Sequence, residues 1–398
     1  MNVIDDRERG SAGQAQGGGM RQGWTWKPLG EVCKTGSGGT PVSLRKEFYE
    51  GGTIPWLVSG EVAQGNVLEA KNFISAAGLE NSAAKLFPRD TVLVAMYGAT
   101  AGQVGILRFE AATNQAVCGI LPNDKFVPEF LYYFLLAKKD DLVAQATGNA
   151  QPNISQIKIK NTEVPVLPLP EQQRIVALLD EAFAGLATAK ANTEQNLQNA
   201  RAIFESHLQS VFSQRGEGWE ETTLDKISTN LDSRRVPITK NVRSSGEYPY
   251  YGASGIVDYV ADYIFEGNNL LVSEDGANLL ARSTPIAFSV TGRYWVNNHA
   301  HILHFETMAT QRFVQFFLES IKLDEFITGA AQPKLNQRAL NAIPIPIPES
   351  VEEQARIVNE VESLQAETQR LTRLYERKLA ALEELKKSLL HQAFNGEL

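Results

Sequence analysis

From residue 23 onward the apolar positions pass through the same three rhythms twice. First come short runs rich in Val, Ile, Tyr and Phe, broken by Gly, Asn and Pro. They predict mixed strands and loops, with a helix around residues 128–139 and a counterpart around 310–323. Next, proline recurs at alternate positions in Val164-Pro165-Val166-Leu167-Pro168-Leu169-Pro170 and in Ile343-Pro344-Ile345-Pro346-Ile347-Pro348. That spacing excludes helix and predicts stiff, extended chain. Last comes a long helical period, with acidic residues in the first turn that suit the helix dipole.

The second long helix carries Ile357, Val361, Leu364, Thr368, Leu371, Tyr375, Leu382, Leu385 and Leu389, with Lys378-Leu379 between Tyr375 and Leu382. This 4-3 spacing is what a coiled-coil seam requires. The first carries Ile175, Leu179, Ala182, Leu186, Leu197, Phe204, Leu208 and Val211 on one face. Asn192, Asn196 and Asn199 make its centre polar and predict an interrupted seam there. Each helix runs ~43 residues, or ~64 Å at 1.5 Å per residue. The pair is expected to bury its seams antiparallel, against the alternative that each helix caps only its own domain.

The two passes are copies. Gly23-Trp24 before Leu29 returns as Gly218-Trp219 before Leu224, and Ile54-Pro55-Trp56 as Tyr248-Pro249-Tyr250. Leu93-Val94 before Gly98-Ala99 returns as Leu271-Val272 before Gly276-Ala277, and Asn114-Gln115-Ala116 as Asn298-His299-Ala300. Gly148 to Pro152 matches Gly329 to Pro333, Gln172 to Val176 matches Gln354 to Val358, and Leu208 to Phe212 matches Leu390 to Phe394. An ordered offset of about 180–195 residues is too long for a solenoid unit, so each copy is a domain with an appendage. The predicted organisation is a tail at 1–22, a domain at 23–170, a helix at 171–215, a second domain at 216–350 and a helix at 351–398. The tail is rich in Gly and Gln and poor in apolar residues, which predicts disorder. Met20 is a second candidate start.

Composition adds limits. The length, 398 residues, exceeds one ordinary core. No apolar run approaches a membrane span, stretches such as Val92–Met96 being far too short, and no basic and apolar leader pattern opens the chain. Cys33 and Cys118 have no paired spacing, which fits a reducing compartment and argues against disulfides or zinc. Cytoplasmic location is the expectation. The net charge of −8 is awkward for contact with phosphates. Its distribution matters more than its sum, however. Acidic residues crowd the last helix, whereas Arg234, Arg235, Lys240 and Arg243 cluster elsewhere.

Catalytic signatures are missing. The sequence has no G-x-G-x-x-G, no G-x-x-x-x-G-K-[ST], and no serine flanked by glycine two residues away on both sides. The Asn- or Asp-Pro-Pro-aromatic motif of an adenine methyltransferase is missing too. His299, His301 and His304 lie close together, but no carboxylate or cysteine adjoins them in sequence, so no metal site is predicted. Glu274-Asp275 could be nuclease-like acids, yet the other copy has Met96-Tyr97, and a turn before Gly276 is the plainer reading.

The ordered motifs resemble a known family. Gly39-Thr40-Pro41, Phe48-Tyr49 and Ile54-Pro55-Trp56-Leu57 look like the opening of a target-recognition domain of Type I restriction-modification specificity subunits. Arg235-Val236-Pro237 with Tyr248 to Gly255 is similar in the second half. Gln151-Pro152-Asn153-Ile154, Pro170 to Ile175 and the ending Gln392 to Leu398 agree as well. The resemblance spans Gly23 to the C-terminus. It implies an α+β fold: two repeated mixed α/β target-recognition domains separated by two long antiparallel coiled-coil helices, related by a pseudo-twofold.

It also implies a non-catalytic subunit that reads a split double-stranded DNA site and uses the helix pair as a ruler for the spacer, since ~64 Å approaches two turns of B-DNA at ~34–36 Å each. Two methyltransferase subunits and motor-nuclease subunits would be its partners. S-adenosylmethionine, ATP and Mg²⁺ would belong to those partners, and the target adenine would be flipped by the methyltransferase. The alternatives are a self-contained methyltransferase or nuclease, and a coiled-coil interaction protein unrelated to DNA.

Groove contact needs cations, amides, aromatics or close backbone approach. The candidates are Lys34, Ser37, Gly38, Gly39, Thr40, Arg45, Tyr97 and Gln151 in the first domain. In the second they are Arg234, Arg235, Lys240, Arg243, Tyr250, Tyr251 and Lys334.

Overall fold

The structure is a computed structural model that describes residues 24–62, 65–146, 153–329 and 332–398. The tail at 1–22 and the candidate Gln151 lie outside the described residues. The chain divides into two compact units, residues 1–191 with 379–398, and residues 192–378.

The first unit holds strands β1 (Thr25–Pro28), β2 (Thr35–Ser37), β3 (Ile54–Leu57), β4 (Asn66–Val67), β5 (Asn72–Ile74), β6 (Leu86–Phe87), β7 (Val92–Ala95), β8 (Val104–Leu107), β9 (Ala111–Thr113), β10 (Val117–Ile120) and β11 (Glu163–Val166). They form sheets of order β2-β10-β7-β8-β4 and β5-β3-β9-β6, and a ribbon β1-β11. Helix α1 (Pro128–Ala137) follows, with proline in its first turn, where a missing N–H costs nothing.

The apolar run Val92–Ala95 is buried on both faces. Val92 and Val94, with Met96 beyond the strand, join the core under α1, whereas Leu93 and Ala95 meet Leu57, Ala111 and Val117 between the two sheets. A strand covered on both sides reads as a continuous apolar run instead of an alternating one. Cys33 and Cys118 are buried free thiols. Burial pushes the Cys118 thiol up to about 12, so it is an inert, protonated core group.

The second unit repeats this plan with strands β12 (Trp219–Thr223), β13 (Thr229–Asn230), β14 (Ser245–Gly252), β15 (Gly255–Val260), β16 (Phe265–Glu266), β17 (Asn269–Ser273), β18 (Ala287–Val290), β19 (Arg293–Val296), β20 (Ala300–His304) and β21 (Pro344–Pro348). The sheets are β13-β20-β17-β18 and β15-β14-β19-β16, with a ribbon β12-β21. In each unit the sheet holding β3 or β14 has one parallel strand pair, β3 with β9 (Trp56 opposite Ala112) and β14 with β19 (Tyr250 opposite Trp295).

The proline-spaced segments are not free links: β11 and β21 pair with the strands that open each domain. Leu169 and Pro170, expected to be extended, instead open the first long helix, where a proline needs no N–H partner. Pro344, Pro346 and Pro348 leave only Ile345 and Ile347 with a ladder donor. A two-stranded ribbon tolerates this and a central strand would not.

Two 45-residue helices carry the appendages. They are α2 (Leu169–Ser213) and, after α3 (Met308–Ser320), α4 (Val351–Asn395). Each unit takes one end of both. In the first unit Ile175, Val176 and Leu179 from α2 and Leu390, Ala393 and Phe394 from α4 enter one core. The Phe394 ring lies 5.4 Å from both Phe130 and Phe134.

In the second unit Ile357, Val358 and Val361 from α4 meet Leu208 and Phe212 from α2. There Phe212 sits 5.2 Å from Phe313 and 5.5 Å from Phe317. Within each unit the helix segments run antiparallel: Lys190 meets Glu383 at 2.8 Å in the first, and Arg201 meets Glu376 at 3.1 Å in the second. A helix therefore does more than cap the domain before it; its far end completes the core of the other.

The seam differs from its sequence reading at two places. Asn192, Asn196 and Asn199 do not interrupt it: they face outward, while Thr193, Leu197 and Ala200 fill the inner face. Small residues close a seam that the large apolar residues alone left open. Leu385 is the second correction, being 47% exposed while Leu379, Leu382, Lys386 and Leu389 are half-buried. A helix of 3.6 residues per turn drifts from a strict 3.5 repeat, and one four-residue step from Tyr375 to Leu379 resets the inner face. Of the remaining predicted seam residues, Ile175, Leu179, Leu208, Ile357 and Val361 are buried. Leu186, Phe204, Leu364 and Leu371 are half-buried.

Candidate nucleic-acid interface

The repeated glutamine that opens each helix sets the frame. Gln172 is fully buried, donating to the Lys125 and Leu167 carbonyls at 2.8 and 2.9 Å and accepting from the Val127 amide at 2.9 Å. Gln354 does the same work, donating to the Pro348 carbonyl at 2.7 Å and accepting from the Thr310 hydroxyl at 2.7 Å. An amide that donates and accepts inside a core ties the helix to its domain. The sequence repeat marked these two positions without revealing their task.

Each domain presents a set of loops at the end of the sheet that contains β7 or β17. In the first, Gly38 and Gly39 are buried rather than offered to a ligand. A methyl group on Gly38 would lie 2.1 Å from the Thr113 carbonyl oxygen, and one on Gly39 would lie 2.3 Å from the Ala83 backbone. The glycines are there because two backbones meet.

The Gly39 carbonyl accepts from the Trp56 indole at 3.0 Å. Ser37 is half-buried, its hydroxyl 3.3 Å from Gln156. Thr40 is exposed and bonded to Gln115. Lys34, Arg45 and Tyr97 are exposed, with Arg45 lying 5.5 Å above the Phe48 ring. The Ile154 amide donates to the Met96 carbonyl at 2.8 Å, holding the loop beside Tyr97.

The second domain reuses this frame with other chemistry. The Val236 carbonyl accepts from the Trp295 indole at 2.6 Å, a tryptophan supplied by β19 instead of by the strand matching β3. The Leu335 amide donates to the Glu274 carbonyl at 2.8 Å, as Ile154 does to Met96. Where the first domain has Met96 and Val117, however, the second has Glu274 and His301.

These belong to a buried ionic cluster. Arg235 reaches Glu274 at 2.6 Å and the Ala300 carbonyl at 2.8 Å, and Lys334 reaches Glu274 at 3.1 Å. His301, 1% exposed, has Nδ1 2.5 Å from Asp232 and Nε2 2.7 Å from the Leu335 carbonyl. Burial alone pushes the Asp232 carboxyl up. The His301 ring, the Ile302 amide and Arg235 outweigh it and hold it below the ordinary range. Glu274 is depressed in the same way: burial raises it, while Arg235, His301 and Lys334 more than compensate.

Three sequence expectations change here. Arg235 and Arg243 are not available to phosphates. Arg235 is locked into the cluster, and Arg243 pairs with Asp258 at 3.0 Å while stacking 4.2 Å from the Tyr250 ring. Tyr250 is 1% exposed, its hydroxyl held by Ile238, and Tyr251 packs on Phe288 and Tyr294. The third concerns the histidines, which carboxylates do adjoin: Asp275 lies 2.9 Å from His299, and Asp232 contacts His301. Those acids come from distant chain positions, which is why local sequence hid them.

Asp232, Glu274 and His301 place their donor atoms within 4.8 Å of one another. Arg235 and Lys334 already balance the two carboxylates, so a cation would have to displace a guanidinium. Arg234, Lys240 and Lys334 remain exposed on the second domain, and His299, paired with Asp275, stands half in solvent.

Two sheet-built domains, each completed by both long helices and bearing exposed cations on its loops, define a duplicated binding protein. The chain belongs to the Type I restriction modification DNA specificity family, which matches it twice, over residues 21–199 and 216–383.

Among similar proteins, a putative type I restriction enzyme specificity subunit of Haemophilus influenzae is 34% identical over 172 residues, covering 43% of this chain and 42% of its own. The EcoprrI specificity subunit of Escherichia coli is 23% identical over 351 residues, covering 83% of this chain and 85% of that one. The first alignment, like one to the EcoR124I/EcoR124II subunit at 40%, spans about two fifths of the relative's length.

A chain solved for complex assembly and conformational transition of the type I R-M system shares the fold at TM-score 0.78, with 18% identity, covering 96% of this chain and all of that one. The HsdS subunit from Thermoanaerobacter tengcongensis gives 0.63, also at 18% identity, covering 95% and 98%.

Proposed function

We propose that this chain is the sequence-reading subunit of a Type I restriction-modification complex, one domain for each half of a split double-stranded DNA site. The carrying observation is the doubled family match on two domains, each closed by both helices. A duplicated reader suits a bipartite target, and 45-residue helices suit a fixed, unread spacer.

Chemistry then resides in partners. Methyltransferase subunits use S-adenosylmethionine, and motor-nuclease subunits use ATP and Mg²⁺. The exposed cations Lys34, Arg45, Arg234, Lys240 and Lys334 supply phosphate contact, and Thr40, Tyr97 and His299 meet base edges. No helix among the described residues is long and apolar enough to cross a membrane, and work on chromosomal DNA puts the complex in the cytoplasm.

Co-expression with the cognate methyltransferase subunits, followed by methylated-base sequencing, should reveal adenine methylation at one bipartite sequence. Methylation by the purified chain alone, or no such sequence, rejects the reading.

A further inference from the structure

The buried ring of His301 has two partners that can only accept. The Leu335 carbonyl faces Nε2 at 2.7 Å and a carboxylate oxygen of Asp232 faces Nδ1 at 2.5 Å. The second Asp232 oxygen is taken by the Ile302 amide at 2.9 Å, and Arg235 lies 3.5 Å from the carboxylate. A neutral imidazole has one N–H and one lone pair, so only the imidazolium satisfies both contacts.

We propose that His301, held as an imidazolium, is the positioning residue of the second domain's DNA-reading loops, and that loss of its proton weakens recognition of one half-site only. This rests on the DNA-reading function proposed above.

The geometry shows what the proton holds. Asp232 sits in the turn that carries Arg234, and Leu335 follows Lys334, so one ring joins two segments bearing exposed cations. A third joins through Glu274, whose carboxylate is 3.9 Å from Nδ1 and whose backbone carbonyl accepts from Leu335. The charged groups facing the ring are Asp232 and Arg235 from the turn and Glu274 from the end of β17, with Lys334 reached through Glu274. Next to the ring along its own chain, His299 just before β20 is engaged by Asp275 and His304 at its end by Asn269. Removing the proton turns one charge-assisted bond into two lone pairs face to face, in a site closed to water.

The first domain provides an internal control. Its matching positions are Val117, Met96 and Ile154, all buried and apolar, and its loop is closed by the same backbone bond from Ile154 to Met96. None of these three side chains titrates. Any pH effect on the partner methyltransferase acts on both half-sites alike, so the ratio of the two isolates His301.

The test uses the full chain assembled with its cognate methyltransferase subunits, S-adenosylmethionine and a randomised duplex library. Methylated positions are sequenced across a pH series from mildly acidic to alkaline. Discrimination at one half-site should fall about tenfold with rising pH while the other holds. His301→Gln should weaken the same half-site at every pH and flatten its profile.

Should that variant fail to fold, the wild-type profile still decides, together with imidazole ¹⁵N spectra of the protein labelled at its five histidines. One histidine should carry protons on both nitrogens at neutral pH. Parallel behaviour of the two half-sites, or a His301 ring with a single N–H at neutral pH, overturns the proposal. Failure to find any bipartite site removes the DNA-reading function itself, and this inference with it.

Discussion

The two domains close the same loop with opposite chemistry. Ile154 to Met96 and Leu335 to Glu274 are one backbone hydrogen bond repeated, yet it is flanked by Met96 and Val117 in the first domain and by Glu274, His301, Asp232 and Arg235 in the second. The indole under the loop also changes strand, Trp56 from β3 in one and Trp295 from β19 in the other. Backbone geometry is thus what duplication kept, and side chains were free to exchange if each set stayed mutually satisfied. An apolar clamp tolerates piecemeal change. An ionic one does not, because every member removed leaves a buried charge unpaired.

The largest effects test the feature the domains share. Phe394→Ala should cost about 3–5 kcal/mol and act on the first unit, with Phe212→Ala acting equally on the second. Region-resolved hydrogen exchange would show this, and loss of protection in the wrong unit would break the assignment of the helix ends.

Next comes the contrast. Arg235→Ala should destabilise the second unit by about 3 kcal/mol, since Glu274 and Asp232 lose their guanidinium inside the cluster. Restoring most of that stability with Glu274→Met in the same chain would confirm that the first domain's solution is transferable.

Gly39→Ala is expected to cost about 1–3 kcal/mol, because its methyl group would collide with backbone at Ala83, in a denaturant titration. The second domain accepts Arg235 in the matching motif position, so a lowered midpoint would show that the two loops are not equivalent, and an unchanged one would contradict the backbone collision.

Acid separates the units more gently. Asp232 and Glu274 are held below their unfolded values of ~3.9 and ~4.3. Their contribution is therefore complete at neutral pH and is lost as pH falls past those values. Glu319 has the opposite sign: burial pushes it up, so acid relieves it in part. The second unit's loops should lose amide protection before the first unit's, and the reverse order would contradict the ionic clamp. Smallest of all, Leu385→Gln should change stability by less than about 0.5 kcal/mol, whereas Leu382→Ala should cost more.

Much was legible in the chain because repetition and periodicity are local properties. The offset of matched motifs gave two domains, the proline rhythm gave extended segments, and a helical period gave two long rods. The site was less legible. Gly38, Gly39, Tyr250, Arg235 and Arg243 have the residue types that touch DNA, yet types do not say which side of a loop faces inward.

Leu385 was misplaced for a related reason, since a heptad written on paper ignores the drift of a real helix. Sequence alone determined that the protein is a duplicated domain with amphipathic rods, because hydrophobic pattern dictates which faces must be buried. Only the tertiary structure decided that each rod ends in the other domain's core. Only the fold, too, gathered Asp232, Glu274 and His301 into one cluster, because contacts between residues so far apart in the chain leave no local trace.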